Sequence, residues 1–269
     1  MEGMSRLLVC APDHFRIDYE INPWMRLSNA VVPERARAQW YGLMRVLEEK
    51  VGVLLERMDP VPGLPDMVFT ANAGVVAGRQ AVPSRFRHPE RQREESHFES
   101  WFQGHGYAVT TLGKGLYFEG AGDLLGFLDA WFGGYRQRSD IRAYARLSEI
   151  FGREIIPVEL VDRRFYHLDT CFCPLSGGEL LYYPPAFDPY AQAVIADRIR
   201  EERRLVVPES DALRFACNAV CVAKHVVLPE GCPGTMKLLE ARGYETHPLP
   251  LDEFMKAGGS AKCLTLALD

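Results

Sequence analysis

A cysteine stands near the C-terminal end, in AGGSAKCLTLALD, behind two glycines, a serine and a lysine. As a thiolate, Cys263 would be a nucleophile, and a nucleophile needs a base. His167, in YHLDTCFC, offers an imidazole, and Asp169 follows two residues on. Further polar groups stand in short glycine- or alanine-rich stretches. These are Asp66 and Asn72 in LPDMVFTANAG, Glu119 and Asp123 in FEGAGD, and Asn218 in FACNAV. Several carboxylates sharing a pocket repel one another unless a cation lies between them. A guanidinium suits that place, because it is planar, stays protonated and presents five donors.

Each residue also has a plainer reading. Cys263 could be a core thiol, although its glycine-rich approach favours a nucleophile. His167 and Asp169, two residues apart, would share one strand face, which favours a base or a substrate holder. Asp66 divides evenly between bracing a turn and binding substrate. Asn72 fits a left-handed turn as well as a contact residue. Asp123 reads as a brace for its glycine corner, and Asn218 as structural. Arg91, in HPERQREE, resembles a solvated helix start. The other histidines (14, 88, 97, 105, 225 and 247) show no partner pattern.

The elements that would position these groups recur. Helical spacing of apolar residues runs through Pro33 to Lys50, Pro89 to Gln103, Ser139 to Phe151, Pro189 to Arg203 and Gly234 to Arg242. Each helix is followed by a short strand, a polar corner and a hairpin-like pair of apolar runs. The fifth hairpin lacks its second arm, and RLLVCAP near the N-terminus can supply it. The corner residues Asn72, Asp123, Cys171, Asn218 and Cys263 are separated by 51, 48, 47 and 45 residues. A period of that size predicts a repeat architecture. Completion of the last unit by the first strand predicts a closed ring, with the corners facing its axis. It would also tie down a terminal thiol that would otherwise fray.

Composition narrows the function. The 269 residues are 47% hydrophobic and 25% charged, ordinary for a globular protein. A net charge of −5 gives no basic footprint for nucleic acid. The N-terminal stretch does not read as a signal peptide, and no apolar run approaches the roughly 20 residues of a membrane span. A cytoplasmic protein is expected. The seven cysteines are odd in number and lack CxxC spacing, so neither a disulfide framework nor a zinc site is expected. GAGD lacks the pattern of a phosphate loop.

Taken together, LPDMVFTANAG, FEGAGD, HLDTCFCPL and GGSAKC resemble the corners of the guanidino-group-modifying enzymes. The resemblance covers nearly the whole chain. It implies an α/β pentein fold, a five-bladed pseudo-symmetric propeller, with residues 1–269 as one domain. It also implies that Cys263 is the nucleophile, His167 the general acid–base and Glu119 its acidic partner, although EGAGD is one residue longer than the usual corner. Asp169 would bind the guanidinium together with Glu119. Arg138 and, less directly, Arg91 would grip the substrate carboxylate, and Asn22 would meet the amino-acid end. Asn72 stands where deiminases carry an aspartate. That asparagine, with Asn22 in DYEINPWM, is similar to arginine dihydrolases, because an amide can both accept from a guanidinium and donate to a ureido oxygen.

The expected activity is therefore hydrolysis of arginine to ornithine, ammonia and carbon dioxide, with no metal or organic cofactor. A reactive, low-pKa Cys263 is expected. A dimethylarginine hydrolase, a deiminase and an amidinotransferase are the enzymatic alternatives. A ribosome-binding pentein is the non-enzymatic one, disfavoured by Cys263, His167 and Glu119 together. The expected partner is a small guanidino substrate, with no nucleic acid or membrane, and a homo-oligomer is compatible with the sequence.

Overall fold

Proline and glycine set several helix limits in the computed structural model, which describes residues 4–268. Proline opens the helices Pro33–Val46, Pro189–Arg198 and Pro233–Glu240, where its missing N–H is no loss. Asp188 also caps the second of these, accepting from the Ala191 N–H at 2.9 Å. Gly152 ends the helix Ile141–Phe151 at φ 61°, in the left-handed region that suits glycine.

Three helices depart most from the expected runs. The first gives way at Leu47 to a wide π-type turn that runs to Val51. The segment from Pro89 divides into Pro89–Gln92 and Glu95–Gly104, with a buried Arg91–Glu94 pair at the break. The fourth stops at Arg198, because buried Ile199 turns extended to reach the core.

Among the described residues, fifteen strands form five three-stranded sheets of one plan. β3 (Gly74–Ala77), β4 (Gln80–Pro83) and β5 (Ala108–Val109) make the first complete unit. β6 (Leu124–Phe127), β7 (Ala130–Tyr135) and β8 (Ile155–Glu159) make the second. β9 (Phe172–Pro174), β10 (Leu180–Tyr182) and β11 (Arg204–Val206) follow. β12 (Val220–Val222), β13 (His225–Pro229) and β14 (Glu245–Leu249) make the fourth. In each, the middle strand pairs antiparallel with the inner strand and parallel with the outer one. A helix makes the crossover that a parallel pair requires.

The fifth sheet joins the two ends of the chain. β15 (Leu266–Ala267) pairs antiparallel with β1 (Arg6–Cys10), which pairs parallel with β2 (Leu54–Met58). The register sets Leu8 opposite Leu266. The missing arm is therefore supplied as the sequence predicts. Residues of all five inner strands line one axial cavity of about 360 Å³, so the sheets surround a common centre. Among the described residues no helix is long and apolar enough to cross a membrane.

Candidate active site

Each polar corner lies just before an inner strand, and three of the corners are 3-10 turns. These are Thr70–Ala73, Gly120–Gly122 and Leu168–Thr170. The turns pack against each other so closely that glycine is required. A Cβ on Gly120 would lie 2.8 Å from the carbonyl oxygens of both Ala71 and Gly74. The HLDT segment is thus a turn, which corrects the expectation that His167 and Asp169 share a strand face. The turn sends the two side chains to different partners. Asn72 is likewise outside the left-handed region, since it belongs to a right-handed turn.

Cys263 is buried, and its sulfur lies 3.4 Å from Asp169 Oδ2. Asn218 organises the thiol. Its Nδ2 donates to the sulfur at 3.1 Å and to the Asp169 carbonyl at 3.1 Å. Its Oδ1 accepts the backbone N–H groups of Ser260 (2.8 Å) and Cys263 (3.1 Å). This residue, read as structural from the sequence, touches the sulfur. The signal was its place at a corner equivalent to that of Cys263. Asp169 Oδ1 is buried without a hydrogen-bond partner among the described residues.

The imidazole belongs to a second cluster. His167 Nε2 and Arg138 each lie 2.8 Å from Glu119 Oε2, while Glu119 Oε1 accepts the Arg87 N–H at 3.2 Å. Arg138 also donates to the Ile21 carbonyl at 3.0 Å and lies over the Tyr166 ring. Asp123 braces the corner as expected, accepting from Ser139 Oγ at 2.7 Å and the Leu168 N–H at 3.0 Å.

A third cluster surrounds Arg91. It donates to Asn72 Oδ1 at 2.9 Å, to the Asp66 carbonyl at 3.1 Å and to Glu94 Oε2 at 2.8 Å. Arg91 is 3% exposed, so the solvated reading of HPERQREE fails at this position. Asn72 Nδ2 donates to the Glu119 carbonyl at 3.0 Å, which links the second and third clusters. Asp66 Oδ2 accepts from Tyr19 at 3.0 Å, and its Oδ1 has no hydrogen-bond partner among the described residues. Asn22 uses its amide on backbone, accepting from Trp24 N–H at 2.9 Å and donating to the Ala257 carbonyl at 3.0 Å. Asn22, Asp66, Asn72, Arg91, Arg138 and Cys263 all line one narrow cavity, with Ile21, Met25, Phe69, Tyr166 and Ala257 completing its wall. Tyr19 and Tyr166 had no signal in a single sequence, because only folding brings them to the corners.

Burial dominates the electrostatics. It pushes the Cys263 thiol well above its ordinary range, and the Asp169 carboxylate adds to the effect. The expectation of a low-pKa cysteine is therefore overturned for the unliganded protein, since the neighbour is an acid and not an imidazolium. Burial raises Asp169 to about 7, against the opposing charge of Lys262 and hydrogen bonds from Cys263 and Asn218. Burial also lowers His167 to about 4, outweighing its bond to Glu119. Burial works to raise Glu119 too, but Arg138, the His167 hydrogen bond and Arg91 hold it below the usual carboxylate range. Glu119, Glu94 and Asp66 thus have internal arginines, while Asp169 lies beside a neutral thiol.

No family-level sequence profile matches the chain. It is 47% identical over 270 residues to the bifunctional arginine dihydrolase/ornithine cyclodeaminase of a Nostoc species, covering 99% of this chain and 38% of that protein. It is 40% identical over 264 residues to the N(G),N(G)-dimethylarginine dimethylaminohydrolase of Mycobacterium tuberculosis, covering 98% of this chain and 85% of that protein. The crystal structure of the N-terminal domain of a cyanobacterial arginine dihydrolase, bound to product, superposes with a TM-score of 0.96. It is 46% identical, and 99% and 98% of the two chains are covered. Five α/β units around a cysteine, a histidine and acidic side chains define a class of enzymes acting on guanidino groups. The chain belongs to that family, the guanidino-group-modifying enzymes of pentein fold. It spans about two-fifths of the length of the bifunctional relative.

Proposed function

We propose that this chain hydrolyses the guanidino group of L-arginine through a covalent bond to Cys263, and carries the reaction on to ornithine, ammonia and carbon dioxide. One observation carries the reading. A buried thiol lies 3.4 Å from Asp169, a carboxylate whose Oδ1 has no hydrogen-bond partner among the described residues. The similarity to an arginine dihydrolase domain, at 46% identity over nearly the whole chain, supports the choice of substrate. We read residues 1–269 as one catalytic domain.

In this reading Asp169 receives the guanidinium, and its Oδ1 takes the donors it lacks at rest. Glu119 is already occupied by His167, Arg138 and the Arg87 N–H, so its part is to orient the imidazole more than to hold substrate. Arg138 and Arg91 have further N–H groups to offer a substrate carboxylate. The incoming cation supplies the positive charge that favours a thiolate. The proton lost by sulfur goes to His167. The thiolate attacks the guanidinium carbon, the C–N bond breaks, and ammonia leaves with the proton from His167. Water then adds to the amidino-thioether, giving its proton to His167, and the C–S bond breaks to leave a ureido group. A second attack expels the second ammonia. Hydrolysis of the thiocarbamate yields an N-carboxy amine that falls apart to carbon dioxide and ornithine. Asn72 keeps one N–H and one lone pair beyond its bonds to Glu119 and Arg91. It can therefore serve a guanidinium and then a ureido oxygen.

The test is product identification by mass spectrometry after incubation with L-arginine. Ornithine with two equivalents of ammonia is expected, no turnover is expected of Cys263→Ser, and Asn72→Asp is expected to shift products toward citrulline. Citrulline accumulating without ornithine in the wild type would overturn the second round. The Mycobacterium relative motivates one alternative, a dimethylarginine hydrolase, which release of dimethylamine would reveal.

A further inference from the structure

His225 opens β13 and Glu245 opens β14, and the parallel register sets these two residues side by side. His247 follows Glu245 by two residues, so it shares the same sheet face. His225 Nδ1 lies 3.0 Å from His247 Nε2 and 3.6 Å from Glu245 Oε2, and His247 Nε2 lies 3.7 Å from Glu245 Oε1. A tetrahedral divalent ion holds nitrogen and oxygen ligands at about 2.0–2.1 Å, which separates them by about 3.3–3.4 Å. The three side chains already form a triangle of that size. The imidazoles are largely sheltered, with side-chain exposures of 28% and 13%, while Glu245 stands at the solvent lip with 65%. An ion can therefore enter past the carboxylate and settle against the rings.

We propose that His225, Glu245 and His247 form a binding site for a divalent transition-metal ion, with water in the remaining position. Two imidazoles and one carboxylate suit zinc and copper better than magnesium or calcium. The site is separate from the candidate active site. β12 leads away from the Asn218 corner, and His225 pairs with Val222 at the far end of that hairpin. The ion would clip β13 to β14, two strands that the chain joins only through the crossover helix Pro233–Glu240.

The experiment uses the full chain carrying Cys263→Ser, since a thiolate is itself a metal ligand. Zinc chloride is titrated by calorimetry, and cobalt(II) chloride is followed by absorption. One equivalent per chain is expected, with cobalt bands of a nitrogen–oxygen site and no thiolate charge transfer. Saturating zinc is expected to raise Tm by about 2–4 °C or more. His225→Ala and His247→Ala are each expected to weaken binding at least tenfold, and Glu245→Gln to weaken it less. His225→Gln replaces His225→Ala if circular dichroism shows that the latter fails to fold. Absence of binding, a thiolate band, or an affinity unchanged by the histidine variants would overturn the proposal.

Discussion

Asp169 is the residue whose charge state governs the proposed chemistry. Burial raises it to about 7, above an ordinary value of about 3.9. The native state therefore binds a proton that the unfolded state releases. That contribution to stability is fully present below about pH 4 and is lost as pH rises through 7. His167 has the opposite sign. Lowered to about 4 from about 6.5, it contributes stability above 6.5 that is lost as pH falls toward 4. Asp169→Asn is expected to flatten the alkaline decline, read by urea unfolding from pH 5 to 9, and to abolish turnover. Equal slopes in the two proteins would contradict the burial argument. In kinetics the wild-type kcat/KM is expected to rise with pH through about 7, because the free protein must ionise Asp169 to receive a cation.

The element that matters most is the loop before the thiol. Gly258 has φ 86°, and a Cβ there would meet Tyr166 Oη at 2.8 Å and Asn22 Oδ1 at 3.1 Å. Gly259 approaches Phe69 so closely that its Cβ would lie 2.7 Å from the ring. Backbone strain and contact with two cavity residues act together at Gly258. Gly258→Ala is expected to destabilise the protein by more than about 1 kcal/mol and to lower kcat/KM on the order of 100-fold. Urea unfolding and arginine kinetics check the two parts. Full activity would mean that the loop tolerates displacement. The loop was legible in GGSAKC as a flexible approach, but the reason for glycine was not. Tyr166 and Asn22 lie far from it in sequence, and a close approach leaves no trace in composition.

At the scale of the whole molecule, the nucleophile depends on ring closure. The Cys263 carbonyl accepts the Ala71 N–H at 3.1 Å, and Leu266 pairs with Leu8 three residues further on. Leu266 is 1% exposed and belongs to an apolar cluster with Leu8, Met67 and Ala121. Leu266→Ala is expected to lose about 2–5 kcal/mol and to reduce turnover beyond the loss of folded protein, because β15 leaves Cys263 by a short link. Activity per folded molecule, with the folded fraction taken from denaturant curves, is the measurement. A specific activity equal to wild type would separate closure from catalysis.

The order of elements, the five-fold spacing and the identity of the corner residues were determined by the sequence alone, because backbone period and turn chemistry are local. The same is true of the missing hairpin arm and its donor strand. Side-chain partnership was decided only by tertiary structure. Arg91 looked like a solvated helix residue and lies buried against Asn72, Asp66 and Glu94. Asn218 looked structural and bonds the sulfur. His225 and His247 showed no pattern, and one sheet register brings them together. The thiol pKa went the other way from expectation. Desolvation and neighbouring charge depend on what surrounds a group in three dimensions, and residues from distant units supply those surroundings.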